Sequence, residues 1–329
     1  MAKIALTGIK PTGTPHLGNL LGAIKPALEL TKDYLAFYFI ADYHALTSVK
    51  DKKLLHEQIY KVAATWLAAG LDPEKVVFYR QSDIPEIFEL NWILSCFTPK
   101  GLLNRAHAYK ACVDKNLEFE NDPDMGINCG LFNYPVLMAA DILMFNSNVV
   151  PVGQDQKQHL EMARDMAHTF NQNYKKIFTL PEPLIQENVK TIPGIDGRKM
   201  SKSYHNEIPL FATPKEVRKK VMQIVSDSKG VEEAKDPDSC NIFAIYQHFS
   251  TPEQIEDLRG RYLAGGLGYG TAKQELFERL EDSFAEGREK YNYYMAHKEE
   301  VDRILREGAV KARKIATPLL AKIRNSIGI

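Results

Sequence analysis

The sequence predicts an α/β fold: a parallel sheet with helices on both faces, carrying an insertion at about residues 99–133 and followed by an all-α C-terminal domain. Three observations carry this. Short apolar or aromatic runs alternate with amphipathic helical stretches up to about Phe170. Residues 99–133 interrupt the alternation, being polar and irregular around the turn cluster Asn121-Asp122-Pro123-Asp124. From Pro214 onward the pattern is helical, with no strand of consequence.

Taken in order, residues 3–8 read as a short buried strand. A Gly/Pro/Thr-rich turn follows, then a helix from about Asn19 to Leu30 in which Pro26 predicts a kink or break. Tyr34–Ala41 is aromatic and apolar, as a central strand should be. Lys52–Ala69 is an amphipathic helix stopped by Gly70 and Pro73; Lys75–Arg80 is the next strand and Pro85–Phe97 the next helix. Beyond the insertion, Pro135–Phe145 reads as an apolar helix, Ser147–Val152 as a strand and Lys157–Phe170 as a helix. Residues 186–206 read as a loop. The expected division is 1–205 for the α/β domain and 206–329 for the helical one.

With 329 residues, 44% hydrophobic and 26% charged, the chain has the composition of a globular protein with a sizeable core. A formal net charge of zero excludes a uniformly basic nucleic-acid binder. Charge is nevertheless uneven. Arg303, Arg306, Lys311, Arg313, Lys314, Lys322 and Arg324 face a single acid, Glu307, in the last segment. This is either the solvated face of a terminal helix or a stripe that contacts phosphates. Cys96, Cys112, Cys129 and Cys240 form no C-x-x-C pair, so neither a structural metal or iron–sulfur cluster nor a disulfide framework is expected. The first residues are too short an apolar run for a signal peptide, and no stretch approaches a membrane span; a cytoplasmic protein with no membrane partner is expected.

Two segments carry chemistry. Thr7-Gly8-Ile9-Lys10-Pro11-Thr12-Gly13-Thr14-Pro15-His16-Leu17-Gly18-Asn19 follows a strand and opens a helix. Ligands of open α/β sheets bind at such strand ends, and free N–H groups at a helix start favour phosphate. His16 and Asn19 can hydrogen-bond to phosphate oxygens as charge develops. The plain alternative is a strand–turn–helix corner with a capping Asn. No G-x-x-x-x-G-K-[ST] is present, so a P-loop is not supported. Gly197-Arg198-Lys199-Met200-Ser201-Lys202-Ser203 places three cations among small, flexible residues. Such a loop can close over a polyphosphate and neutralise charge in a transition state; otherwise it is a solvated basic loop.

In this order, Pro15-His16-Leu17-Gly18-Asn19 and Lys199-Met200-Ser201-Lys202-Ser203 resemble the HIGH and KMSKS signatures of class I aminoacyl-tRNA synthetases. Between them lie Tyr134-Pro135-Val136-Leu137-Met138-Ala139-Ala140-Asp141-Ile142-Leu143 and Val149-Val150-Pro151-Val152-Gly153-Gln154-Asp155-Gln156-Lys157-Gln158-His159. With Asp42-Tyr43-His44-Ala45, these blocks resemble the bacterial tryptophanyl-tRNA synthetase family from Lys3 to about Ser203, and more loosely beyond, where Glu307-Gly308-Ala309 and Lys311-Ala312 look like its terminal helix. The resemblance implies a Rossmann-like catalytic domain that activates tryptophan with ATP and passes it to tRNA(Trp). It implies ATP with Mg2+, L-tryptophan and tRNA(Trp) as partners, a homodimer, and an anticodon-reading helical domain.

The resemblance also implies roles. His16, Asn19, Lys199, Lys202 and Lys110 would act on the phosphates. ATP would further meet Lys10, Pro11, Thr12, Gly18, Met200, Ser201 and Ser203, with Gly153, Gln154 and Asp155 on the ribose. Asp141, alone in an apolar helix, would accept the indole N–H, because a buried carboxylate needs a donor and indole offers one and no acceptor; read by itself, it equally fits an Asp that caps or faces solvent. Met138, Tyr134, Val150, Val152 and Leu6 would wall the indole. His44 would lie near the substrate, and Gln156 would meet its ammonium or the ribose. Three positions depart from the family: Lys10 stands where Gln is common, Gln154 where Glu is, and Tyr204 where Asp is. His16 stands where relatives often carry Thr, closer to the general class I pattern. The alternatives are a tyrosyl-tRNA synthetase, a tRNA-independent adenylyltransferase (its discriminator the helical C-terminal half) and a non-catalytic RNA-binding paralogue, against which the intact lysines and His16 speak.

Overall fold

The computed structural model describes residues 3–153, 156–185 and 192–329. Five strands, β1 (Ile4–Ile9), β2 (Leu35–Ile40), β3 (Val77–Arg80), β4 (Val149–Val152) and β5 (Glu182–Ile185), form one sheet in the order β3-β2-β1-β4-β5. Every pairing is parallel. The order reverses between β1 and β4, which opens a crevice at the carboxyl ends of those two strands. The first four strands match the sequence expectation to within two residues at each end. β5 went unread: it is a short edge strand containing Pro183, whose missing N–H is tolerated only where no neighbour needs it.

The sheet is buried on both faces, and β2 shows why. Ala36, Tyr38 and Ile40 join one apolar cluster; Phe37 and Phe39 join the other. On the first face the Lys52–Ala68 helix brings Trp66 against Tyr38, ring centroids 5.2 Å apart. On the second, the Pro85–Ser95 and Cys129–Leu143 helices cover Leu6, Val77 and Tyr79. Each large side chain so buried contributes about 1.5–3 kcal/mol.

The helix entered from β1 is not continuous. Leu17–Asn19 runs into a π-helical turn, Leu20–Ile24, before α-helix resumes at Lys25–Leu30. Pro26 lies at the start of the resumed segment, where its absent N–H is least missed. The expectation of an irregular insertion at 99–133 is corrected. Lys100–Leu103 and His107–Glu118 are helical, and the Cys129–Leu143 helix begins inside it, its first turn capped by Asn128 Oδ1 accepting from Leu131 N at 2.9 Å. The His107–Glu118 helix has no buried residue, so it left no apolar stripe to read.

Beyond 206 the described chain is helical: Pro214–Met222, Asn241–Tyr246, Pro252–Ala264, Tyr269–Ala296 and Lys298–Ile327. The last helix returns to the sheet. Its apolar stripe is large at both ends and small in the middle, with Gly308, Ala309 and Ala312 lying over β3. At Gly308 the fit is so close that a Cβ would lie 1.7 Å from the Phe78 carbonyl oxygen. Three residues of the basic stripe point to this interface. Lys311 donates to Pro73 O at 3.1 Å, Arg313 pairs with Glu86 at 2.9 Å, and Arg324 pairs with Glu89. These contacts dock the helix onto the α/β domain, while the Arg313 and Arg324 side chains stay 49% and 51% exposed. Among the described residues, no helix is long and apolar enough to cross a membrane.

Candidate active site

The residues of interest leave the carboxyl ends of four neighbouring strands. Lys10 follows β1, His44 follows β2, Gln81 follows β3, and Gly153 and Gln156 follow β4. Gln154 and Asp155 lie outside the described residues.

The loop after β1 is held from below and above. Gln58, with its amide nitrogen toward Pro11, donates to Pro11 O at 2.7 Å and accepts from Gly13 N at 2.9 Å. Gly13 has φ +74°, and its absent Cβ leaves Lys202 Cδ room at 3.1 Å. Lys202 Nζ donates to Thr12 O, and Gly18 N donates to Met200 Sδ at 3.3 Å. The two signatures are thus in direct contact. Residues 208–210 brace the first signature: Leu17 N donates to Ile208 O at 3.0 Å and Leu210 N to Pro15 O at 3.1 Å. Asn19 Oδ1 accepts from His16 N at 3.1 Å, so its side chain closes the first turn of the helix.

His16 is buried, and its Nδ1 has no hydrogen-bond partner among the described residues. Burial first, and then the Lys202 ammonium, lower its pKa to about 4 against a small opposing pull from Glu207. It is a neutral imidazole at physiological pH. Burial also lowers the pKa of Lys202 and of Lys10. Lys10 Nζ donates to Thr47 Oγ1 at 2.9 Å.

The second signature is shaped by Asn206, which sequence reasoning missed. It is 1% exposed, its Oδ1 accepts from Ser201 N at 2.8 Å, and its Nδ2 donates to Asp196 Oδ1 at 2.7 Å and Lys199 O at 3.1 Å. That side chain fixes the backbone so that Lys202 turns inward while Lys199 and Ser203 stay exposed. Tyr204 stacks on the Arg198 guanidinium, 4.2 Å from ring centroid to Cζ.

Asp141 is 1% exposed, near the end of the Cys129–Leu143 helix. Its Oδ2 lies 2.9 Å from His44 Nε2, and Gln81 Nε2 donates to Oδ1 at 2.8 Å and to Oδ2 at 3.0 Å. Burial raises its pKa, with the His44 and Gln81 contacts acting the other way. Gln81 is fully buried and accepts from Tyr43 N at 3.2 Å. Sequence reasoning missed it too, although its position immediately after β3 was the signal. A second polar chain runs from Tyr134 Oη to His159 Nε2 at 2.5 Å and from His159 Nδ1 to Gln156 Oε1 at 3.1 Å, the Tyr134 ring meeting that of His44 edge-on at 6.3 Å. Around it, Leu6 and Val150 are core residues of one apolar cluster, and Met138 and Val152 pack against that cluster. Thr47 Oγ1 donates to His44 O at 2.8 Å while accepting from Lys10, which ties the carboxylate network to the loop after β1.

Lys110 stands apart. It is exposed on the His107–Glu118 helix, and its side chain has no hydrogen bond or ion pair among the described residues. Asp42, also unforeseen as a structural anchor, is buried and accepts from Ser82 N at 3.0 Å, stitching the turn after β2 to that after β3.

Comparisons with known proteins bear on the family and the fold. The family model of the class I tRNA synthetases for tryptophan and tyrosine (W and Y) matches residues 2–285. The tryptophan–tRNA ligase of Pseudomonas putida is 56% identical over 329 residues, covering 98% of this chain and 73% of that protein. The corresponding ligase of Neisseria meningitidis is 51% identical over 99% of this chain and 98% of its own. The crystal structure of tryptophanyl-tRNA synthetase from Campylobacter jejuni, complexed with ADP and tryptophan, superposes with a TM-score of 0.93 at 47% identity, over 99% of this chain and 100% of that one. Fold, converging signatures and these likenesses together place the chain in the class I tRNA synthetases, as a member of the tryptophanyl-tRNA synthetase family.

Proposed function

We propose that this chain is a tryptophan–tRNA ligase. It activates tryptophan with ATP to tryptophanyl-adenylate and pyrophosphate, then transfers tryptophan to tRNA(Trp). The observation that carries the substrate is Asp141: a buried carboxylate, held by two donors, at the apolar end of a crevice where both ATP signatures meet. An indole N–H satisfies that acceptor, whereas a phenyl ring leaves it facing hydrocarbon. A tyrosyl-tRNA synthetase is the second reading, since the same family model covers both.

The adenylation needs no side-chain nucleophile. The tryptophan carboxylate attacks the α-phosphorus in line, the bond from that phosphorus to the α,β-bridging oxygen breaks, and pyrophosphate leaves with the electron pair. We assign Lys202 and Lys199 to the charge developing on the leaving pyrophosphate oxygens, with Lys202 already poised on the loop after β1. His16, neutral and with an unpartnered buried nitrogen, suits a hydrogen bond to a phosphate or bridging oxygen, and Asn19 holds the turn that presents it. Lys10, Pro11, Thr12, Gly18, Met200, Ser201 and Ser203 frame the nucleotide; Gly153, with Gln154 and Asp155, meets the ribose. Met138, Tyr134, Val150, Val152 and Leu6 enclose the indole, and His44 and Gln156 orient the substrate. Lys110 must approach from the insertion to take part.

Among the described residues no group of three or more His, Cys, Asp or Glu is placed to hold a metal ion. We assign Mg2+ to the triphosphate itself, arriving as part of the ATP substrate, as the family resemblance implies. Residues 1–205 form the catalytic unit and 206–329 the helical unit that reads the anticodon, across a homodimer in a cytoplasmic enzyme; family membership supports this assignment. Aminoacylation of tRNA(Trp) transcripts with labelled tryptophan tests the whole reaction. Adenylate without charged tRNA would leave only the first half standing, and labelling with tyrosine instead would favour the second reading.

A further inference from the structure

The segment that carries Gln81 is clasped by the terminal helix. Arg80, the last residue of β3, donates from Nη1 to Asp302 Oδ1 at 3.0 Å and from Nε to Asp83 Oδ2 at 2.9 Å. Its side chain and that of Asp302 are 20% and 26% exposed. Tyr60 Oη donates to both Asp302 oxygens at 3.0 Å, so the carboxylate is fixed from the Lys52–Ala68 helix as well. One residue of the following helix is held from the same side: Glu86, 6% exposed, accepts from Arg313 Nε at 2.9 Å and from Thr317 Oγ1 at 2.7 Å. Between these anchors Gly308 lies directly against the backbone of Phe78.

Gln81 directly follows Arg80 and lies between the two anchored residues Arg80 and Glu86. Its Oε1 takes Tyr43 N and its Nε2 spans both Asp141 oxygens. A small rotation of the β3 end would lengthen those bonds at once, because hydrogen bonds weaken steeply with misalignment. We propose that the Arg80–Asp302 pair is a positioning device for the tryptophan pocket, acting from the helical C-terminal region through Gln81 on Asp141. Neither Arg80 nor Asp302 touches substrate; they set how well Asp141 is aimed. This rests on the tryptophan-ligase reading.

The test is steady-state pyrophosphate exchange on the full chain, with tryptophan KM, ATP KM and kcat measured separately. The variants are Asp302→Asn, Asp302→Glu, Arg80→Gln, Gln81→Ala and the double variant Asp302→Asn with Gln81→Ala. Gln81→Ala raises the tryptophan KM about tenfold to a hundredfold, as expected when bonds to a buried charge are lost. Asp302→Asn and Arg80→Gln each raise it about threefold to tenfold, leaving the ATP KM within about twofold. Asp302→Glu restores most of the loss. On the Gln81→Ala background, Asp302→Asn adds less than about twofold, because the path is already cut. Two results overturn the proposal: Asp302→Asn shifting both KM values alike, or adding its full effect without Gln81. Absence of tryptophan-dependent exchange in the unmodified protein instead overturns the reading beneath it.

Discussion

Replacing Asp141 with Asn separates recognition from stability in opposite directions. The amide keeps the shape of the carboxylate and can still accept from Gln81. It removes the negative charge that faces the indole N–H in our account. A hydrogen bond to a buried charged group contributes about 1.5–3 kcal/mol. At about 1.4 kcal/mol per tenfold, the tryptophan KM should rise roughly 10- to 150-fold, while the ATP KM holds. Stability follows from the raised pKa. The unfolded chain ionises near the ordinary Asp value, whereas burial lifts the folded-state value above it. The protonated form is therefore relatively favoured in the fold. That contribution is fully present below the unfolded pKa and is lost as pH rises through the folded one. Near neutral pH the native protein bears a desolvated charge that the amide variant lacks. Asp141→Asn should therefore melt at or above the unmodified Tm, with the difference narrowing as the pH falls toward the ordinary Asp value. Pyrophosphate exchange over a tryptophan series and thermal melts across the acidic to neutral range read both arms. A tryptophan KM within about twofold of the unmodified value would refute the assignment of Asp141 as indole acceptor.

Other outcomes follow from the same geometry. Lys202→Ala should lower single-turnover adenylate formation by about a hundredfold or more with tryptophan binding intact, as for the loss of one electrostatic stabiliser; unchanged adenylate formation would remove Lys202 from the chemistry. His16 has a depressed pKa of about 4, so its contribution to stability is present above the unfolded value near 6.5 and is lost as pH falls from there to about 4. Unfolding titrations of His16→Gln should accordingly show a shallower loss across that window. Gly308→Ala drives a methyl into the Phe78 carbonyl and should cost about 3 kcal/mol or more, read as a lowered denaturation midpoint.

Much of this molecule was legible before any coordinates. The first four strands were readable because β2 and its neighbours are apolar on both faces, as only a covered parallel sheet is. β5 was not, since four residues with a Pro at an edge carry too little pattern. The insertion hid its helices because the His107–Glu118 segment buries nothing, and periodicity reports burial. The signatures were legible as motifs, but their mutual contact was not. It depends on Asn206 and on the pairing of residues 208–210 with the loop after β1. Asp141 stood out as a carboxylate in an apolar helix, whereas Gln81 is an ordinary polar residue until the fold sets it opposite that carboxylate. The basic terminal stripe shows the reverse case: a pattern conspicuous in sequence in which Lys311, Arg313 and Arg324 are paired with acceptors on the α/β domain, the two arginines staying half exposed.

The central claim is that the crevice selects tryptophan and activates it with ATP. Exchange of radiolabelled pyrophosphate into ATP, without tRNA and with tryptophan and tyrosine in parallel, tests it most directly. The account predicts exchange with tryptophan and none above background with tyrosine. Exchange driven by tyrosine alone, or by neither amino acid, would contradict it.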